Sequence, residues 1–429
     1  MAWRSYLDRV KTSIWLYPVV YSIIAIILAL SVIIIDGEFL FDFKSYIPEV
    51  MITSSELARM VLSLIASAFI TITTFTFSTT MIVLTMYSSQ FSPRVVENFL
   101  KNNSTMKSFG IFVSGFIYSL ISLLFIRESI SDSSVISGSI GVIYIIVGLV
   151  NFIIFINNVA THVQANNLID RLYDESLSRM GEYKDRIREC RIVPRDEVEA
   201  YRKNQSISSP RNGYIQEVDY GNLMKTAKET RTVIFLNKVA GQFLTDRTEV
   251  VSLYYDHDSD LKDDLENRVH RCLLIGDQRT EKQDFSFSLQ KIVDVALKAL
   301  SPGINDPNTA IHCIRILGVL LRNMAELKSG YILVENEGEE GALYYEGYDF
   351  DVILSAAFNQ IIHYGRADVS VTIALLKAFR YILETASDEN AQIVLRHVDF
   401  LWNTIMKVTY EELEMGLLNQ EMVEIRNWK

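Results

Sequence analysis

The chain has 429 residues, 49% of them hydrophobic and 22% charged, and a mean hydropathy of +0.17 makes it more apolar than most soluble proteins. Seven prolines set against 22 Phe and 21 Tyr exclude a disordered or collagen-like chain. A formal net charge of −11 excludes the basic face that phosphate neutralisation requires, so nucleic acid is not an expected partner. Three scattered cysteines, Cys190, Cys272 and Cys313, supply neither a disulfide framework nor paired zinc ligands.

Thr12 to Ile35 carries no charge, and about 22 to 24 apolar residues rising about 1.5 Å each cross a hydrocarbon core of roughly 30 Å. The stretch is too long for a signal-peptide core, which predicts a retained membrane helix. Met60 to Pro93 is uncharged over roughly 50 Å of helix and must tilt or project beyond the bilayer. Ser108 to Ile126 is a third span, and residues 136–158 form the fourth. Arg4, Arg9 and Lys11 precede the first span, and Arg94, Lys101 and Lys107 lie between the second and third. The other two loops carry only Lys44, Arg59 and Arg127. This bias predicts a multi-pass protein with both termini cytoplasmic, and so large a cytosolic part without a targeting signal suits the bacterial plasma (inner) membrane. Most of the negative charge falls after residue 170, in a cytosolic part.

Within the second span, Ser63, Ser67, Thr71, Thr74, Ser78 and Thr85 recur at helical spacing and form one hydroxylated face. Such a face meets either another helix or water. The first reading is close packing of small residues; the second is a pore lining, in which symmetry copies surround an aqueous path. Glu56 continues the face at its outer end, where a ring of carboxylates would concentrate inorganic ions, cations in particular. Four spans cannot enclose a wide path alone, so the pore reading includes a homo-oligomer. Gly110, Ser114, Gly141 and Gly148 in the last two spans read as packing residues.

An amphipathic connecting helix is expected over 166–205, followed by a small β-rich module over 206–258 with strands at 213–219, 232–236 and 249–255. From 259 to 429 the period returns to 3.6, with Leu265, Val269, Leu273 and Leu274 as the first of about six helical series. Tyr331–Val334 and Ala342–Tyr345 read as a peripheral hairpin. The predicted fold class is mainly α: a four-transmembrane-helix domain over 1–165 plus a cytosolic α-rich domain with a small β module.

The segment Ile275–Asp284, the run Ala299-Leu-Ser-Pro-Gly-Ile-Asn-Asp-Pro-Asn-Thr-Ala310 and Ser88-Ser-Gln-Phe-Ser-Pro-Arg94 resemble a bacterial family of integral-membrane proteins, domain-of-unknown-function family 2254. The resemblance covers nearly the whole chain. It implies a membrane half and a cytosolic half, and brings no substrate or catalytic residue with it.

Read physically, Pro302 and Gly303 stop one helix, Asp306 caps the next and Pro307 fits its first turn. The alternative is a polar ligand or gating site in which Asn305 and Asp306 join Arg279, Thr280, Gln283 and Asp284. No P-loop, G-x-S-x-G, H-E-x-x-H or Cys-x-x-Cys motif occurs, so no catalytic residue, cofactor or metal is expected. Asp256, Asp258 and Asp260 lack the glycine and glutamate of a calcium loop. The sequence therefore predicts an ion channel or pore in a lipid bilayer, with a membrane-anchored sensor or scaffold as the alternative.

Overall fold

The computed structural model describes residues 15–36, 48–90, 103–126, 134–162, 165–188, 190–194, 205–255, 262–334 and 341–427. Contacts divide the chain into two compact units, 2–167 and 168–429. The acidic loop at 256–260 and the Phe91–Arg94 end of the Ser88 motif lie outside the described residues.

The first unit holds α1 (Leu16–Asp36), β1 (Thr53–Ser54), α2 (Ser55–Gln90), α3 (Asn103–Phe125), β2 (Ser134–Val135) and α4 (Ser137–His162). All four helices are long and apolar enough to cross a membrane. Small residues bring them close. A Cβ on Gly110 of α3 would stand 3.0 Å from the Tyr17 carbonyl of α1, a spacing only glycine allows. Phe69 of α2 is fully buried, and a Cβ on Gly115 or Gly148 would come within 2.4 or 2.6 Å of its ring. Thr53 pairs with Val135 in the short β1–β2 ladder. The Asp36 carboxylate accepts from Ile136 N at 2.8 Å and Ser137 N at 3.2 Å, so the end of α1 supplies the anion favoured at the start of α4.

After α5 (Ala165–Ile187), the second unit contains β3 (Arg191–Val193), β4 (Gln205–Ser208), β5 (Gly213–Val218), α6 (Tyr220–Glu229), β6 (Val233–Leu236), β7 (Phe243–Leu244) and β8 (Glu249–Tyr254). Next come α7 (Lys262–Arg271), β9 (Leu273–Gly276), α8 (Phe285–Ala299), α9 (Pro307–Arg322), β10 (Tyr331–Val334) and β11 (Ala342–Glu346). The helices α10 (Phe350–Gly365), α11 (Val369–Leu383), α12 (Asp388–Ile405) and α13 (Glu412–Arg426) complete it.

The strands form a six-stranded sheet, β3-β10-β11-β6-β8-β4, and a three-stranded sheet, β7-β5-β9. The expected β module therefore crosses both of its sequence boundaries. The hairpin β10–β11 is interior, because β11 runs parallel to β6 with Leu343 opposite Ile234. Leu273 and Leu274, expected to continue a helix, sit in β9, because β5 offers an open edge on which Leu273 pairs with Val218. The connecting helix ends at Ile187, and the chain turns at once into β3.

Helix starts are set locally: Asp219, Asp284, Asp306, Asp349, Asp368 and Ser387 each accept an amide from their own first turn. The helical core closes tightly where α9 crosses α11, with a Cβ on Gly318 falling 2.9 Å from that of Ala378. Leu317, Leu321, Leu375 and Phe379 are buried there.

Candidate functional site

The hydroxylated face of α2 is resolved by what the other face does. Ala58, Leu62, Ile65, Phe69, Thr76 and Val83 are buried. At 3.6 residues per turn, Glu56, Ser63, Ser67, Thr71, Thr74, Ser78 and Thr85 fall roughly opposite, and all seven are exposed on the single chain. None of the described helices buries them. The hydroxyls turn back on their helix: Ser67 donates to the Ser63 carbonyl at 2.9 Å, Thr71 to Ser67 at 2.8 Å, Thr74 to Ile70 at 2.9 Å and Thr85 to Met81 at 2.9 Å. Their lone pairs stay available on the outer surface. Met60 and Met81 lie on the same face and are 58% and 46% exposed. Met60 thus interrupts the stripe between Glu56 and Ser63, and Met81 between Ser78 and Thr85, with exposed Leu64, Ile70 and Ile82 along its flanks.

The second group of candidates lies around the start of α8. Arg279 Nε donates to Asp284 Oδ2 at 2.6 Å and its Nη2 to Ser286 Oγ at 2.7 Å. Ser286 Oγ in turn donates to Asp284 Oδ1 at 2.7 Å, and that oxygen also accepts from Phe287 N. The guanidinium rests 5.1 Å from the centre of the Phe287 ring. Gln283 serves as a strand partner, accepting from Val218 N at 2.8 Å and donating to Val218 O at 3.0 Å. Thr280 donates to Gln216 O. Lys291, 2% exposed, forms an ion pair with Glu281; the sequence reading missed this pair, whose only signal was a lysine on an apolar helix face. Gln283 and Thr280 thus tie β5 to the segment before α8, while Arg279, Asp284 and Ser286 spend their bonds on the first turn of α8.

Asn305 and Asp306 do not join them. Asp306 N donates to Ala299 O at the far end of α8, so the 15-residue helix separates them from Asp284 by about 22 Å. The expected combined site therefore resolves into two, and the corner reading describes the second. Asp306 caps α9 through Thr309 N at 3.1 Å and Thr309 Oγ1 at 2.6 Å. Asn305 takes a left-handed φ of 51°, which asparagine tolerates better than most side chains.

A cavity of about 540 Å³ opens elsewhere in the second unit, lined in part by Lys328, Glu346, Asp349, Asp351, Glu389 and Arg396. The buried His397 holds Asp351 through Nε2 at 2.8 Å, and Arg396 holds its other oxygen at 3.1 Å. The hydrogen bond from His397, with the Arg396 charge, draws the Asp351 carboxyl below the ordinary aspartate range. No sequence motif marks this cavity, because its lining converges from segments up to about 200 residues apart.

A family model described as "Predicted membrane protein (DUF2254)" matches residues 11–381. Uncharacterised proteins of Mycobacterium bovis and of two strains of Mycobacterium tuberculosis are each 25% identical over 350 residues, which is 79% of this chain and 66% of theirs. The chain thus spans just under two thirds of the length of these relatives. No solved structure matches.

Proposed function

The chain belongs to the DUF2254 family of membrane proteins, and we propose that it assembles into a homo-oligomeric ion channel of the bacterial plasma membrane, with α2 from neighbouring copies lining the path. The observation that carries this reading is the outward face of α2. Seven polar side chains spaced over about 44 Å of helix point away from the chain's own bundle. A lipid-facing helix gains nothing from such alignment, whereas a ring of these faces encloses oxygen lone pairs suited to cations. Glu56 stands at the end of this face and attracts the same ions. Met60 and Met81 form apolar rings at which the path closes by dewetting. In this reading both termini are cytoplasmic, the second unit acts as vestibule or gate, and the protein performs no catalysis.

The test is current across planar bilayers containing the purified protein. Cation-selective current is expected, falling at least tenfold in Ser67→Leu and Thr71→Leu variants that still fold. Absence of current, or unchanged current in both variants, removes the proposal. A membrane-anchored sensor is the second reading, and it is favoured by the 540 Å³ cavity beside Asp351 rather than by Arg279, whose donors are engaged within the fold. Saturable binding of a small molecule that fails in Arg396→Ala supports it.

A further inference from the structure

The start of α6 and the end of α7 are pinned together where Asp219 N donates to Cys272 O at 2.8 Å. A cavity of about 300 Å³ opens beside that contact, at the small end of the range for ligand sites. From α6 it is lined by Lys225 and Glu229, one turn apart on the same helix face, and from α7 by Arg268 and Arg271 in the last turn. Asp219 adds a second carboxylate.

Both carboxylates are already engaged. Asp219 accepts from Asn222 N at 3.0 Å and from Asn222 Nδ2 at 2.8 Å. Glu229 accepts from Arg268 Nη2, and its other oxygen lies 3.9 Å from Lys225 Nζ. The cations exceed these partners. Arg268 uses Nη2 alone, on Glu229 and on Thr226 Oγ1 at 3.4 Å, so its Nε and Nη1 are uncommitted among the described residues. Arg271 makes no ion pair or side-chain hydrogen bond among them, although it lines the cavity. Burial, with the Asp219 carboxylate, pushes the Cys272 thiol up to about 11, so the thiol adds no negative charge. One positive charge and a whole guanidinium edge are therefore left over in a concave site, within the part of the chain that holds most of the acidic residues. The dipole of α7 favours basic residues in its last turn. It explains neither the lysine brought in from α6 nor the space between them.

We propose that Lys225, Arg268 and Arg271 bind a small soluble molecule through an oxyanion, a carboxylate or a phosphate. A guanidinium fork matches two oxygens of either group, and the anion supplies the charge that Asp219 and Glu229 leave unbalanced. The site shares no residue with the cavity beside Asp351 or with the α2 stripe, so it stands whether or not either of those readings does.

The test is thermal unfolding of the full-length protein in lipid nanodiscs, titrated with sodium phosphate or sodium acetate against sodium chloride at equal ionic strength. Phosphate is also excluded from protein surfaces in general, so the variants decide. The wild type should show a saturable rise in Tm with at least one of the two anions, and the stronger response names the group. Arg271→Gln should raise the half-saturating concentration about tenfold or more, the loss of one bidentate contact, while leaving Tm in chloride within about a degree. Glu229→Gln removes a competing carboxylate and should lower that concentration about threefold. No saturable rise with either anion, or the same titration curve in Arg271→Gln as in the wild type, overturns the proposal. So does an Arg271→Gln variant whose Tm falls equally in all three salts, because Arg271 then serves only the end of α7.

Discussion

Asp284 combines a helix cap, an ion pair and a glycine contact in one side chain that is 5% exposed. A Cβ on Gly241, whose φ is +93°, would stand 1.9 Å from Asp284 Oδ2. Gly241→Ala is therefore expected to cost more than about 2 kcal/mol, through steric overlap added to a left-handed backbone. Arg279→Ala leaves the buried carboxylate without its cation and should cost about 3 kcal/mol, against much less for the paired change to Ala and Asn; chemical unfolding of the detergent-solubilised protein reads both. For Asp351 the sign follows from its depressed carboxyl. The stabilisation is complete above the ordinary value of about 3.8 and is lost as pH falls from there through the native value. Asp351→Asn should therefore flatten the fall in Tm below about pH 4, and an unchanged acid limb would show that the His397 and Arg396 contacts contribute nothing. At this scale the sequence pointed to Arg279, Thr280, Gln283 and Asp284 as more than a corner requires. What it could not show was that Thr280 and Gln283 hold backbone atoms of β5, some 65 residues away, while Arg279 and Asp284 hold each other and the first turn of α8.

Helices with a clean apolar period were legible as elements, and those without one were not. α13 escaped because exposed Leu413, Leu417 and Val423 mask the buried series Leu418, Met422 and Ile425. β9 escaped because a run as short as Leu273–Gly276 is decided by the strand edge it meets and not by its own pattern. The corner between α8 and α9 was readable from Pro302 to Pro307, since capping and breaking are local physics. It yields a graded prediction: Asp306→Ala should lower stability by about 1 kcal/mol. At the next position, Asn305→Val should cost about 1–2 kcal/mol while Asn305→Gly stays near neutral, as the left-handed φ demands. If Val and Gly behave alike in thermal unfolding, the positive φ is not a constraint in solution.

Over the whole molecule, hydropathy separates a unit of four spanning helices from an acidic unit of helices and two sheets, and it does so because the two solvents impose different composition. Sheet topology was hidden, since the parallel pairing of β6 with β11 joins residues about 109 apart. The hydroxyl period of α2 was visible from the start, but which way it faces is a property of the bundle. Only the burial of Ala58, Leu62 and Phe69 on the opposite side shows that the stripe looks outward. Conduction depends on what covers that surface in the bilayer. The direct measurement is an electron cryo-microscopy map of the protein in lipid nanodiscs. A channel requires a ring of copies with the Ser67 and Thr71 hydroxyls lining a central axis; a single copy, or a ring in which those hydroxyls face lipid, would contradict it.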